Sequence, residues 1–155
     1  MEQQDFRAIC GQFATGITVI TTTHNGKPHG FTANSFTSVS LDPAIVLFCL
    51  KTASETNAAF QASKTFAINI LSDEQEAVSN TFASSKNSQE ARFEQVELIS
   101  KTIPVIKGGL GYLTGEIIKH ETVGDHIVYY GQVTDGKYFE GNPLLYAKGG
   151  YQRLG

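Results

Sequence analysis

Apolar and polar positions change period along this chain, and the changes mark its elements. Near the N-terminus Phe6, Ile9, Cys10 and Phe13 recur at i, i+3, i+4 and i+7, which lines one face of a helix, with Asp5 placed to cap it. Gly16 ends that period. Ile17-Thr18-Val19-Ile20-Thr21-Thr22-Thr23 is dense in β-branched residues, which suit a pleated surface, and predicts a strand. Asn25-Gly26 follows, and both tolerate positive φ. The chain therefore turns back in a hairpin, with a return strand that starts near Pro28 and carries Gly30-Phe31-Thr32-Ala33. A polar run from Asn34 to Ser40 leads into Leu41-Asp42-Pro43. Ala44 to Leu50 is short and continuously apolar, which predicts a strand buried on both faces. Lys51 to Ser54 reads as a turn, and Ser54 as the cap of a short helix over Glu55 to Ala62.

Phe66 to Leu71 predicts another strand. Asp73 with Glu76 has the spacing of a capping box and opens a helix to about Phe82, with Val78 and Phe82 turned inward. Ser84 to Lys107 is the most polar stretch and predicts a surface excursion with a helical turn near Glu90 to Phe93. Two long strands follow, about Tyr112 to Val123 and Ile127 to Phe139, joined at Gly124-Asp125, and a last short strand covers Leu144 to Ala147. Six or seven strands, mostly antiparallel and without regular βαβ alternation, predict a mainly β chain rolled into a closed or nearly closed barrel.

The length of 155 residues fits a single domain over 1–155 that can bury a sizeable core. Charged residues are 17%, below the roughly 25% usual for globular chains, so a second subunit is expected to cover the excess apolar surface. A net charge of −3 argues against nucleic acid and anionic membranes as partners, since both require a basic field. No apolar run approaches the ~18 residues of a spanning helix, and Met1-Glu2-Gln3-Gln4-Asp5 lacks the basic start of a signal peptide. Cys10 and Cys49 form no CxxC and read as two buried thiols in a reducing cytoplasm. His24, His29, His120 and His126 show no zinc spacing, so no metal is expected. Asp125 and His126 are neighbours, which on a strand would point apart, and no GxSxG supplies a nucleophile for hydrolysis. Gly108-Gly109-Leu110-Gly111 lacks both the spacing and the strand-to-helix context of a dinucleotide loop.

Gly30 to Pro43 carries the most chemistry. Its small residues let backbone approach a flat ring, while Asn34, Ser35 and Ser38 supply directed hydrogen bonds. Lys51-Thr52-Ala53-Ser54-Glu55-Thr56 sets hydroxyls beside a lysine at a helix N-terminus, where free N–H groups and the dipole favour a phosphate. Together they describe a mononucleotide-like cofactor site; the competing reading is a Ser/Thr-rich edge strand followed by an ordinary helix cap.

The chain resembles the short-chain flavin reductases, the reductase components of two-component flavin monooxygenases such as those acting on hydroxyphenylacetate or phenol. The resemblance rests on Phe13 to Thr22, Thr32 to Pro43, Lys51-x-x-Ser54-x-Thr56-x-x-x-Phe60, Phe66 to Leu71 and Arg92-Phe93. It continues through Gly124-Asp125-His126, Gly131-x-Val133, and Pro143 to Tyr146 with a glycine before Tyr151. Ala44 departs from it, standing where a second proline is common, and so does the detail of Glu94 to Lys107. The resemblance implies a six-stranded antiparallel split β-barrel with a few flanking helices, assembled as a homodimer. It implies hydride transfer from NADH or NADPH to FMN, FAD or riboflavin, with reduced flavin diffusing to a flavin-dependent oxygenase. Thr32, Ala33, Asn34 and Ser35 would then contact the ring edge, and Ser38, Val39 and Ser40 would line the ring and its side chain. Lys51, Ser54 and Thr56 would hold the phosphate, and Phe93 would flank the mouth unless it merely caps a loop. His126, as the catalytic residue, and Tyr151 would serve the nicotinamide, the alternative for His126 being a buried structural histidine. Two other functions share these features: a reductase that retains its flavin and serves another acceptor, and a flavin-binding carrier or sensor without turnover.

Overall fold

Asn25 and Gly26 sit at φ of 53° and 72°, the left-handed pair that reverses a right-twisted ribbon in two residues. In the computed structural model, which describes residues 1–155, the elements are α1 (Gln3–Cys10), β1 (Thr15–Gly16), β2 (Thr18–His24), β3 (Lys27–Ala33), β4 (Phe36–Leu41) and β5 (Ala44–Lys51). They continue with α2 (Thr56–Ser63), β6 (Thr65–Ile70), α3 (Glu76–Ala83), α4 (Gln89–Glu94), β7 (Leu98–Ser100) and β8 (Val105–Ile106). The chain ends with β9 (Gly111–Val123), β10 (His126–Tyr138), β11 (Leu145–Ala147) and β12 (Gly150–Gln152).

The main sheet has seven strands in the order β3-β2-β6-β9-β10-β5-β4, every pair antiparallel. The pattern predicts six or seven strands in all, and the resemblance implies a six-stranded barrel. The seventh is β4, whose polar sequence hides it but which pairs with β5 from Phe36↔Phe48 to Leu41↔Ala44. The ladder does not close, because β3 and β4 are its two edges. The sheet nevertheless curls, bringing Phe31 of β3 to 6.3 Å from Phe48 of β5, centroid to centroid.

Phe48 is the hub of the core. Its ring stacks on Tyr129 at 5.2 Å and meets Phe60 at 5.6 Å and Phe66 at 6.0 Å. Ile20, Ile68 and Leu50 fill the space around them. Tyr129 keeps its hydroxyl satisfied by donating to Asn57 Oδ1 at 2.6 Å, as a buried phenol must, and burial raises its pKa. A second core, formed by Ile17, Val19, Leu71, Phe82, Ile106 and Leu144, lies under α3 and the β7–β8 hairpin.

Several expectations are corrected. β5 is not buried on both faces: Val46, Phe48 and Leu50 point in, while Ile45, Leu47 and Cys49 are half-buried. Continuous apolarity therefore overstated its burial, since only the face carrying Val46, Phe48 and Leu50 enters the core. Neither cysteine is fully buried, Cys10 being exposed and Cys49 intermediate. The N-cap of the first helix is Glu2 rather than Asp5, and the helix buries none of its residues; Phe6, Ile9 and Phe13 stay 60%, 58% and 78% exposed. The Asp73–Glu76 capping box does not form, because the N-cap position falls on Gln75; Asp73 and Glu76 both face Arg153 instead, at 3.6 and 3.9 Å. The β7–β8 hairpin and β12 escaped the hydrophobic pattern because both are three residues or shorter.

Candidate functional site

At the β3–β4 corner the small polar side chains divide into two groups. Thr32 donates from Oγ1 to the Ser79 carbonyl at 2.6 Å. The Ser79 hydroxyl lies 2.7 Å from the Tyr151 hydroxyl, which donates to Asn80 Oδ1 at 2.9 Å. Tyr151 thus stands beside Thr32 through one helix residue. Ser35 Oγ accepts the Cys49 N–H and donates to the Cys49 carbonyl, both at 3.1 Å, which braces the corner on β5. Ala33 is buried. These side chains build the frame. Asn34, Ser38 and Val39 are exposed and Ser40 is half-buried; a register shift between Ser38 and Ser40 leaves Val39 as the bulged residue. The exposed side chains of the corner are therefore the Asn34 amide, the Thr37 and Ser38 hydroxyls and apolar Val39.

Across the sheet, β5 and β10 place Lys51 directly opposite His126. Asp125 Oδ1 lies 2.7 Å from His126 Nδ1, so the expectation that these neighbours point apart is corrected. Asp125 belongs to the turn and not to the strand, and strand alternation does not govern it. The hydrogen bond and charge of His126, with the Lys51 charge behind them, hold the Asp125 carboxyl below its usual range. The Asp125 carbonyl also accepts from the Thr52 N–H at 3.0 Å and the Thr52 hydroxyl at 3.2 Å. With Nδ1 occupied, Nε2 is the ring nitrogen that His126 has left to offer, and its side chain is 40% exposed.

The start of α2 lies just beyond Lys51. Ser54 is not the N-cap, a position taken by Glu55, but its Oγ accepts the Thr56 N–H at 3.3 Å. Asn57 Nδ2 donates to the Lys51 and Ser54 carbonyls at 2.7 and 3.0 Å, which closes the turn. Thr56 is buried, and its Oγ1 accepts from Gln89 Nε2 at 3.2 Å. Two residues of α4 hold this arrangement against β3: Gln89 Oε1 accepts the Gly30 N–H at 2.8 Å, and Arg92 Nη1 donates to the Gly30 carbonyl at 2.7 Å. Arg92 Nη2 reaches the Ser84 carbonyl at 2.9 Å. The guanidinium has only carbonyl partners, and burial lowers its pKa. Gly30 also leaves room for its neighbours on the sheet and on α3, since a Cβ there would meet Thr21 Cγ2 at 3.0 Å and the Phe82 ring at 3.1 Å.

The structure therefore gathers Lys51, Ser54, Thr56 and His126 at one end of the sheet, with Asn34, Ser38 and Val39 open on the β3–β4–β5 corner. Phe93 follows Arg92 on α4; it is half-buried and packs edge-to-face on Phe82 at 5.0 Å, against the second core. Sequence reasoning missed Gln89 and missed Asp125 as the companion of His126. No spacing rule marks Gln89, whereas the two-residue Gly124-Asp125 turn was a usable signal for Asp125.

A family model described as flavin reductase like domain matches residues 10–155. The reductase subunit HsaB of a flavin-dependent monooxygenase from Mycobacterium tuberculosis is 37% identical over 156 residues, covering 97% of this chain and 82% of its own length. The solved structure of flavin reductase PheA2 in its native state superposes with a TM-score of 0.91 at 39% identity, over 100% of this chain and 99% of that one. The Streptomyces globisporus C-1027 NADH:FAD oxidoreductase SgcE6, solved in complex with NAD and FAD fragments, gives 0.92 at 30% identity, over 99% and 93%.

Proposed function

This chain belongs to the flavin reductase like domain family, and from that premise we propose that it transfers a hydride from NADH or NADPH to FMN or FAD and supplies the reduced flavin to a separate flavin-dependent oxygenase. The observation that carries the reading is the rung on which Lys51 faces His126: a cation suited to a phosphate stands beside an imidazole with Nε2 free. The donor set fits a flavin. The uncharged amide and hydroxyl of Asn34 and Ser38 with apolar Val39 suit a neutral ring, and Lys51 with the Ser54 and Thr56 hydroxyls suits its phosphate. Of the nearby carboxylates, Asp125 is occupied by His126 and Glu55 stands exposed at the N-cap of α2.

A bound flavin supplies the two-electron chemistry at its ring, so the chain needs neither nucleophile nor metal. Lys51, Ser54 and Thr56 anchor the charged end and thereby fix how far the ring reaches along the corner. Ser35, tied to Cys49, keeps β3 and β4 at a constant angle under it. Asp125 orients the His126 ring so that Nε2 meets the carboxamide or phosphate of the nicotinamide. Thr32 and Tyr151, joined through Ser79, hold α3 against the corner.

A single domain over 1–155 with a split-barrel fold accompanies this reading, supported by the curl that brings Phe31 to Phe48. A homodimer does as well, supported by the bare apolar face of α1, and sedimentation velocity at micromolar protein should return twice the chain mass. The exposed thiol of Cys10 favours a reducing compartment, the cytoplasm. No helix is long and apolar enough to cross a membrane.

Steady-state oxidation of NADH tests the function. Turnover should require flavin added in substrate amounts. Turnover on bound flavin alone with another acceptor would show a flavin-retaining reductase, and binding without turnover would show a carrier. Replacing His126 with alanine should lower kcat/KM for the nicotinamide about tenfold, or ~1.4 kcal/mol, and leave flavin affinity within about twofold. A variant that melts far lower and loses both ligands together would make His126 structural.

A further inference from the structure

The sequence offered Ser54 and Thr56 as phosphate hydroxyls, but a hydroxyl serves an anion only if its hydrogen is free to point there. Which way the Thr56 hydrogen points is decided by a residue on another helix. Gln89 opens α4, and its backbone is fixed by the Ser88 cap, whose Oγ accepts the Ala91 N–H at 3.1 Å. The Gln89 side chain spans from β3 to α2. The Gly30 N–H can only donate, so the amide atom facing it at 2.8 Å is Oε1. The other end is then the NH₂ group, which can only donate, and Thr56 Oγ1 at 3.2 Å must accept. The Thr56 hydrogen is left uncommitted, and no protein acceptor takes it. Ser54 is set the same way, since its Oγ accepts the Thr56 N–H. The Gly30 N–H is available to begin this chain because β3 is a sheet edge, whose outward groups need partners from elsewhere.

We propose that Gln89 is a positioning residue that locks the Thr56 hydroxyl as a donor and so gives the site its preference for a phosphorylated flavin over the bare riboflavin. This rests on the phosphate reading of Lys51, Ser54 and Thr56. Gln89 senses the backbone of the edge strand and passes its polarity to α2, so the anion meets a donor that needs no reorientation on binding. The Arg92 guanidinium, one helical turn along and held only by carbonyls, adds positive potential to the same corner.

Fluorescence titration of the full chain with FMN and with riboflavin tests this. In Gln89→Glu the carboxylate still accepts the Gly30 N–H but cannot donate to Thr56, whose hydrogen then turns toward it. FMN affinity should fall at least tenfold while riboflavin affinity stays within twofold, with thermal melting reporting that the fold is kept. Thr56→Val removes the hydrogen at issue, so the effects of Gln89→Glu and Thr56→Val should be strongly non-additive on FMN. An unchanged FMN-to-riboflavin ratio in Gln89→Glu overturns the proposal. So does an additive cycle, which would mean that the new charge acts without Thr56. Equal affinity of the unaltered chain for FMN and riboflavin would overturn the phosphate site itself, a distinct failure.

Discussion

Replacing Ser54 and Thr56 together with alanine should weaken FMN far more than riboflavin, by roughly 1.5–3 kcal/mol for each charge-assisted hydrogen bond lost. Both hydroxyls have a lone pair engaged by an N–H donor and a hydrogen to spare, so each is set to donate to a phosphate. Riboflavin has no phosphate and should lose little. The substitution also leaves Gln89 Nε2 without its acceptor, so thermal melting must accompany the titrations to separate stability from affinity. Equal weakening of both ligands would reduce the two residues to elements of a helix start. Lys51 is left in place in this variant, which keeps the long-range charge constant and isolates the directional contribution.

Phe48→Ala should cost about 3–5 kcal/mol of stability, the range for truncating a buried aromatic. Phe48 is fully buried and touches rings from β3, α2, β6 and β10, so no single neighbour can collapse into the space it leaves. At about 2–4 °C per kcal/mol for a chain of this size, the melting temperature should drop by several degrees at least. Flavin binding should suffer as well, because Phe48 pairs in register with Phe36 of β4 and ties the Phe31 edge to β5. A loss below 1 kcal/mol would show that the aromatic cluster repacks and that the curl of the sheet is held elsewhere.

Local periodicity was enough to reveal the β2–β3 hairpin, the two long strands β9 and β10, and helices α2 and α3 to within a few residues. In each, the side chains that define the period are the ones that choose the local backbone. Ordered motifs likewise marked the corner from Thr32 to Ser40 and the Lys51-x-x-Ser54-x-Thr56 turn, since close backbone approach and helix starts demand particular residue types at adjacent positions. β4 was not legible, because an edge strand with exposed Thr37, Ser38 and Val39 carries no apolar alternation, and only its pairing with β5 makes it a strand. Nor was the rung that sets Lys51 against His126, which depends on the register of two strands far apart in the chain. Gln89 gave no signal for the same reason, and Arg92 was marked only as part of the Arg92-Phe93 motif: their roles come from Gly30, Thr56 and Ser84, which reach them only after the sheet has curled and α4 has docked. Residue type and spacing thus chose the local elements and the kinds of group available for binding. Which hydroxyls keep a free hydrogen, and which charges stand side by side, followed from contacts between distant segments that only the folded chain makes.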